Sequence, residues 1–146
     1  MHDLLKLADD LGITVVERAG LRLGGYHGGS TTIRLNPALP RRVARSVLAH
    51  EIAHHVFQDV PSRHGPVTAR QERRADEWAA RYLITPEDFA DAERIRDGHT
   101  ASMAHDLGVT VEIVEAFRRL LVRIGDTTYV NPRMGAGQWE HRRGCA

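Results

Sequence analysis

Two imidazoles and a carboxylate crowd into five residues of this chain, His50-Glu51-Ile52-Ala53-His54. On a helix, side chains four apart lie about 40° apart around the axis, so His50 and His54 share a face and Glu51 falls on the same arc. Paired neutral imidazoles are ligands for a divalent cation, and a carboxylate beside them is a general base for water activated there. The segment from Arg41 to Phe57 reads as the helix that carries them. Val43, Val47 and Phe57 mark its inward stripe, with both histidines inside it and Glu51 at its edge. Imidazoles turned inward without partners are costly, and a bound cation satisfies them.

A third ligand is available downstream, between Thr68 and Pro86. Thr68 and Gln71 form a capping box that predicts a helix start, and Ala75, Trp78, Ala79, Tyr82 and Leu83 form the apolar stripe of that helix. Glu72 sits beside the stripe and is placed to complete the ligand set. Asp76, four residues on, is placed to accept the free ring N–H of a ligating histidine and so fix its tautomer. Glu77 is the rival ligand, but it lies well round the helix from Glu72. Arg70, Arg73, Arg74, Glu77 and Arg81 read mostly as solvated charges. His55, about 140° from His50, lies outside the ligand arc. Two imidazoles and one carboxylate suit Zn2+ best, and Mn2+ or Fe2+ also fit an N/O site.

These residues carry a family resemblance. Leu48-Ala-His-Glu-Ile-Ala-His-His55, then Glu72-x-x-Ala75-Asp76-x-Trp78-Ala79 and Tyr82-Leu83-Ile84, resemble the ImmA/IrrE family of metallopeptidases. The family often has Leu-Leu-Met-Pro where this chain has Leu83-Ile84-Thr85-Pro86, a departure at the helix end and not at the ligands. The likeness runs from about Leu4 to Ile124. It takes in Leu7 to Val16, Thr32-Ile33-Arg34-Leu35-Asn36 before the active helix, and Met103 to Thr110 after the third ligand. It implies a compact zincin-like core and a cytoplasmic, metal-dependent endopeptidase. Its characterised members are implied to cleave helix-turn-helix repressors of mobile elements or of DNA-damage responses.

The elements that must position the site are short. His2 to Leu11 reads as a helix ended by Gly12, and Ile13–Glu17, Leu21–Tyr26 and Thr31–Leu35 read as strands of a small sheet. Thr85 caps a further helix with Pro86 in its first position, and Gly98 ends it. Ala101–Leu107 and Val111–Ile124 read as two helices joined at Gly108. The expected class is α+β: a three-stranded sheet packed on the helices that bear His50, His54 and Glu72, with C-terminal helices behind. Residues 1–125 form this domain, and residues 126–146 form a tail that is partly disordered after one short extended piece. Trp139 lies in that tail without a readable partner.

Composition permits this reading. The chain has 146 residues, a net charge of +1 and one cysteine, Cys145. One domain with a core fits that length, and near-neutral charge gives no support for a nucleic-acid or membrane partner. Met1 to Lys6 lacks the plan of a signal peptide, so the cytoplasm is the expected compartment. Cys145 is remote from any His or Asp cluster and does not read as a nucleophile.

Two other functions compete. The pair of helices around Gly108 has the outline of a DNA-reading helix-turn-helix, but the second begins with Glu112 and Glu115, where donors are needed; Arg118, Arg119 and Arg123 lie too far along it. A metal-stabilised module that binds a repressor without cutting it keeps the fold and drops the chemistry. Tyr26, His27 and Tyr82 are each candidates to stabilise an oxyanion, and linear spacing does not choose among them. A peptide substrate is expected to add as a strand at the sheet edge near Thr31–Leu35.

Overall fold

The computed structural model describes residues 1–20, 22–124, 127–130 and 139–142. Six helices and two small sheets are present among them, an α+β arrangement that fits the compact zincin-like domain expected. Helix α1 (His2–Asp10) leads into strand β1 (Thr14–Glu17), which is followed by β2 (Gly24–His27), a single 3-10 turn (Gly28–Ser30) and β3 (Thr32–Leu35). The strand order is β1-β3-β2, with β1 parallel and β2 antiparallel to β3. Thr32–Leu35 is therefore the central strand, paired on both sides, and the edges are β1 and β2, of which β2 lies against the histidine-bearing helix. This corrects the expectation that a peptide would add at Thr31–Leu35: a strand with two neighbours has no backbone groups left to pair.

Helix α2 (Arg41–Val56) packs against β2 and β3, and α3 (Gly65–Leu83) packs against α2. The buried face of α2 is Ala44, Leu48, Ala49, Ile52 and Ala53. Val43, Val47 and Phe57 are half-buried at its margin, so the stripe inferred from the sequence is displaced. Small alanines carry the core contact because α2 is approached closely on several sides. Helix α3 begins one turn before the supposed capping box, with Pro66 in its first turn. Thr68 and Gln71 instead tie the preceding loop to the helix: Thr68 Oγ1 donates to Ser62 O at 3.0 Å and Gln71 Nε2 to Val60 O at 3.1 Å.

Helix α4 (Pro86–Ile95) is capped by Thr85, whose hydroxyl accepts from Asp88 N–H at 3.1 Å. Helices α5 (Thr100–Leu107) and α6 (Val111–Leu120) follow, joined through Gly108 at φ 64°, a left-handed conformation that glycine adopts without cost. Phe117, Ile113 and Val114 of α6 fill the core together with Phe89, Met103 and Leu4. Complete burial of one such side chain stabilises by about 1.5–3 kcal/mol.

Three α2 side chains hold the α5–α6 turn. Arg45 donates to the carbonyls of Leu107, Gly108 and Leu83, each at 3.1 Å, and Arg42 donates to Val109 O at 3.2 Å. Ser46, the one buried polar residue among those described, donates to Arg42 O and accepts from Thr110 N–H, both at 3.0 Å. A buried hydroxyl so paired escapes the penalty of an unsatisfied one.

Helix α6 stops at Leu120, short of the Ile124 expected. Leu121–Ile124 is strand β4, followed by β5 (Thr127–Val130) and β6 (Trp139–Arg142) in an antiparallel sheet of order β4-β5-β6. Pairing with β5, remote from any helical signal, decides the state of Leu121–Ile124. Cys145 lies outside the described residues. No helix among those described is long and apolar enough to cross a membrane.

Candidate metal centre

Helix α2 presents His50, Glu51 and His54 to the side on which α3 lies, and α3 presents Glu72 to them. The Nε2 atoms of His50 and His54 are 3.0 Å apart; Glu72 Oε2 is 3.2 Å from the first and Glu72 Oε1 3.5 Å from the second. One ligand atom from each of the three residues lies within 4.8 Å of the others. Both histidines are half-buried, whereas Glu72 stands at the mouth with 53% of its side chain exposed.

The far nitrogens are equally engaged. His50 Nδ1 meets Asp76 Oδ1 at 2.8 Å, and His54 Nδ1 meets Asp59 Oδ2 at 2.9 Å. An ionised carboxylate only accepts, so each Nδ1 carries the hydrogen and each Nε2 lone pair points at the common centre. Two lone pairs and a carboxylate facing one another repel unless a proton or cation stands between them. Tetrahedral zinc with bonds of about 2.0–2.1 Å sets its donors about 3.3 Å apart, close to the separations seen, so the donor set fits such an ion. Burial works to lower the pKa of His50, but the hydrogen bond and charge of Asp76, with Glu51 and Glu72, outweigh it and hold the ring above its ordinary value. The pocket favours positive charge.

Asp59 is the residue that sequence reasoning missed. The chain leaves α2 at Val56, turns through Gln58 at φ 53°, and returns so that Asp59 N–H donates to His54 O at 2.9 Å. Its carboxylate is 7% exposed and forms an ion pair with Arg74, whose guanidinium also lies 4.1 Å above the Phe57 ring. Arg74 is thus a structural cation and not a solvated charge. Only the left-handed turn brings Asp59 to His54, and nothing in the spacing announces it.

Glu51 is partly buried. Burial pushes its carboxyl pKa up, with a contribution from Glu72, while His50, His54 and a backbone N–H from Tyr26 draw it back. Gly24 makes this approach of β2 possible: a Cβ there would stand 2.5 Å from Val47 Cγ1 and 3.0 Å from Arg34 O. The Tyr26 hydroxyl bonds His55 Nδ1 at 2.9 Å, which engages His55 away from the ligand group. Of the three oxyanion candidates, Tyr26 and His27 line the site cavity; Tyr82 is exposed and stacks on Trp78, itself packed against the core. Glu77 points elsewhere, its Oε1 taking Arg73 at 3.0 Å and Arg119 of α6 at 3.2 Å.

Two cavities meet at this point. One, of about 710 Å³, extends past Glu72 and Gln71 toward Val60, and the other, of about 520 Å³, extends past Val47 toward α6. His50 and Glu51 line both, so a groove passes across the centre along β2.

No curated protein and no solved structure matches the chain. A family model does, over residues 8–117, which include every residue of the centre, and its description is peptidase M78, IrrE N-terminal-like domain. With well over half of its length so matched, the chain belongs to the ImmA/IrrE (IrrE N-terminal-like) family of metallopeptidases.

Proposed function

We propose that this protein is a zinc endopeptidase of the cytoplasm that cuts a helix-turn-helix transcriptional repressor at one or very few bonds. His50, His54 and Glu72 hold the ion, Glu51 is the general base, and Asp76 and Asp59 orient the two imidazoles. The observation that carries the reading is the convergence of both Nε2 atoms and Glu72, with each Nδ1 anchored on a carboxylate and a raised-pKa carboxyl alongside. When bound, zinc supplies Lewis acidity that lowers the pKa of a water beside it. Glu51, its carboxyl pKa raised by burial, would accept a proton from the water whose oxygen adds to the scissile carbonyl and would pass it to the amine nitrogen as the C–N bond breaks. The Tyr26 N–H favours the ionised form of Glu51, which lines both cavities.

The substrate assignment is supported by family resemblance and by the shape of the site. The free edge of β2 borders the groove, and an extended segment is what such an edge pairs with. Folded proteins seldom offer one, so a flexible part of the repressor is the expected target. DNA reading has less support: Arg118 is spent on Thr100 and the Gly98 carbonyl, and Arg119 on Glu77.

The deciding experiment incubates zinc-loaded protein with the repressor encoded next to its gene and, separately, with casein, and reads products by mass spectrometry. Discrete cleavage of the repressor with slow casein digestion is expected. Broad casein digestion with an untouched repressor would make this a general peptidase, and an intact repressor in a stable complex would make it a sequestering module.

A further inference from the structure

We infer that the smaller cavity, between Val43, Val47 and the first turn of α6, is a side-chain pocket that selects an apolar residue of the bound peptide next to the scissile bond. The inference rests on the endopeptidase reading and deepens it.

The pocket adjoins the metal-ligand group. The pocket shares His50 and Glu51 with the larger cavity, so a side chain seated in it flanks the reacting carbonyl. Val43, Val47 and Glu51 recur every four residues along one face of α2, which makes the valines the direct continuation of the centre. Gly24 forms the opposite wall, where its close approach leaves no side chain between β2 and Val47.

The polar groups at the back of the pocket are already paired. Ile113 and Ser46 lie at the back, and the Ser46 hydroxyl is already bonded to Arg42 O and Thr110 N–H. Asp76 is committed to His50. A basic side chain would find only carboxylates already engaged, Asp76 with His50 at 2.8 Å and Glu51 beside the two imidazoles, with buried Ile113 behind them, and an acidic one would face the same carboxylates. Leu, Met or Phe would replace water against valine and isoleucine and lose nothing. Arg22 and Glu112, both exposed at the rim, remain in solvent.

Peptide hydroxamates of one backbone, with Gly, Leu, Phe, Lys or Glu at the position next to the chelating group, test this on the zinc-loaded full chain. Titration calorimetry should show Leu and Phe binding at least about tenfold tighter than Gly, the scale on which apolar pockets discriminate. Lys and Glu should gain nothing. Val43→Phe, which fills the pocket, should abolish the gain while zinc content and circular dichroism stay unchanged, and Val43→Ala should retain it. Equal affinity across the series, tightest binding by Lys, or a gain that survives Val43→Phe overturns the inference. Hydrolysis is measured apart from binding. An apolar preference without cleavage of any peptide would defeat the endopeptidase reading and leave the pocket standing.

Discussion

His54 and Asp59 are bonded twice, ring Nδ1 to carboxylate at 2.9 Å and backbone carbonyl to N–H at 2.9 Å. The second bond closes the turn that makes the first possible. Asp59→Ala should therefore weaken zinc binding by about 10–100-fold, the usual loss when the carboxylate behind a ligating imidazole is removed. Asp59→Asn, which can still accept from Nδ1, should lose less. Chelator competition measures both, and unchanged affinity in Asp59→Ala would show that the contact does not orient His54.

Glu51→Gln removes the proposed base and leaves the proposed ligands untouched. Zinc should remain stoichiometric by elemental analysis, while peptide cleavage falls by about two to four orders of magnitude. Cleavage near the wild-type rate would reassign the base.

His50→Ala, His54→Ala and Glu72→Ala should each lose zinc on dialysis. Glu77→Ala should keep it and instead unfold at lower temperature, because Arg73 and Arg119 lose their shared partner and the link from α3 to α6. The partly exposed ion pairs make that loss modest, about 1 kcal/mol. Zinc depletion in Glu77→Ala with retention in Glu72→Ala would exchange their roles.

Gly24→Ala puts a methyl 2.5 Å from Val47 Cγ1 and 3.0 Å from a backbone oxygen. Strand β2 has to shift, at a cost of about 1–3 kcal/mol. Activity should drop with zinc retained, since the Tyr26 N–H moves off Glu51; a second change, Val47→Ala, should restore part of both. Full activity in Gly24→Ala would mean that the spacing between β2 and α2 is not critical.

What the sequence disclosed follows from what determines each residue's place. His50, Glu51, His54, Glu72 and Asp76 sit inside two helices, and helical periodicity alone orders residues on one face, so the candidate ligands and base were legible. Asp59 was not, because it depends on a left-handed turn at Gln58. Val43 and Val47 read as core because they are apolar beside the histidines, yet they border the groove while Ala44, Ala49 and Ala53 meet the core. The capping box at Thr68 had the right letters one turn too late, since Pro66 had already started the helix. Leu121–Ile124 was apolar enough for either state, and partners later in the chain made it a strand. The strand order, which makes Thr32–Leu35 central and Gly24–His27 the edge strand beside α2, is a property of the whole sheet that no local pattern encodes.

Arg45 sets the mechanics of the groove. One guanidinium fastens the helix bearing both histidines to the last residue of the helix bearing Glu72 and to the turn before α6. Those pieces form one jaw of the groove, because moving α2 away means breaking several partly buried hydrogen bonds together. Strand β2 faces that jaw across the groove, Gly24 against Val47, and its Tyr26 N–H bears on Glu51. On the proposed reading, a peptide paired along β2 would also bear on the aim of Glu51, so fit along the strand would be felt at the base.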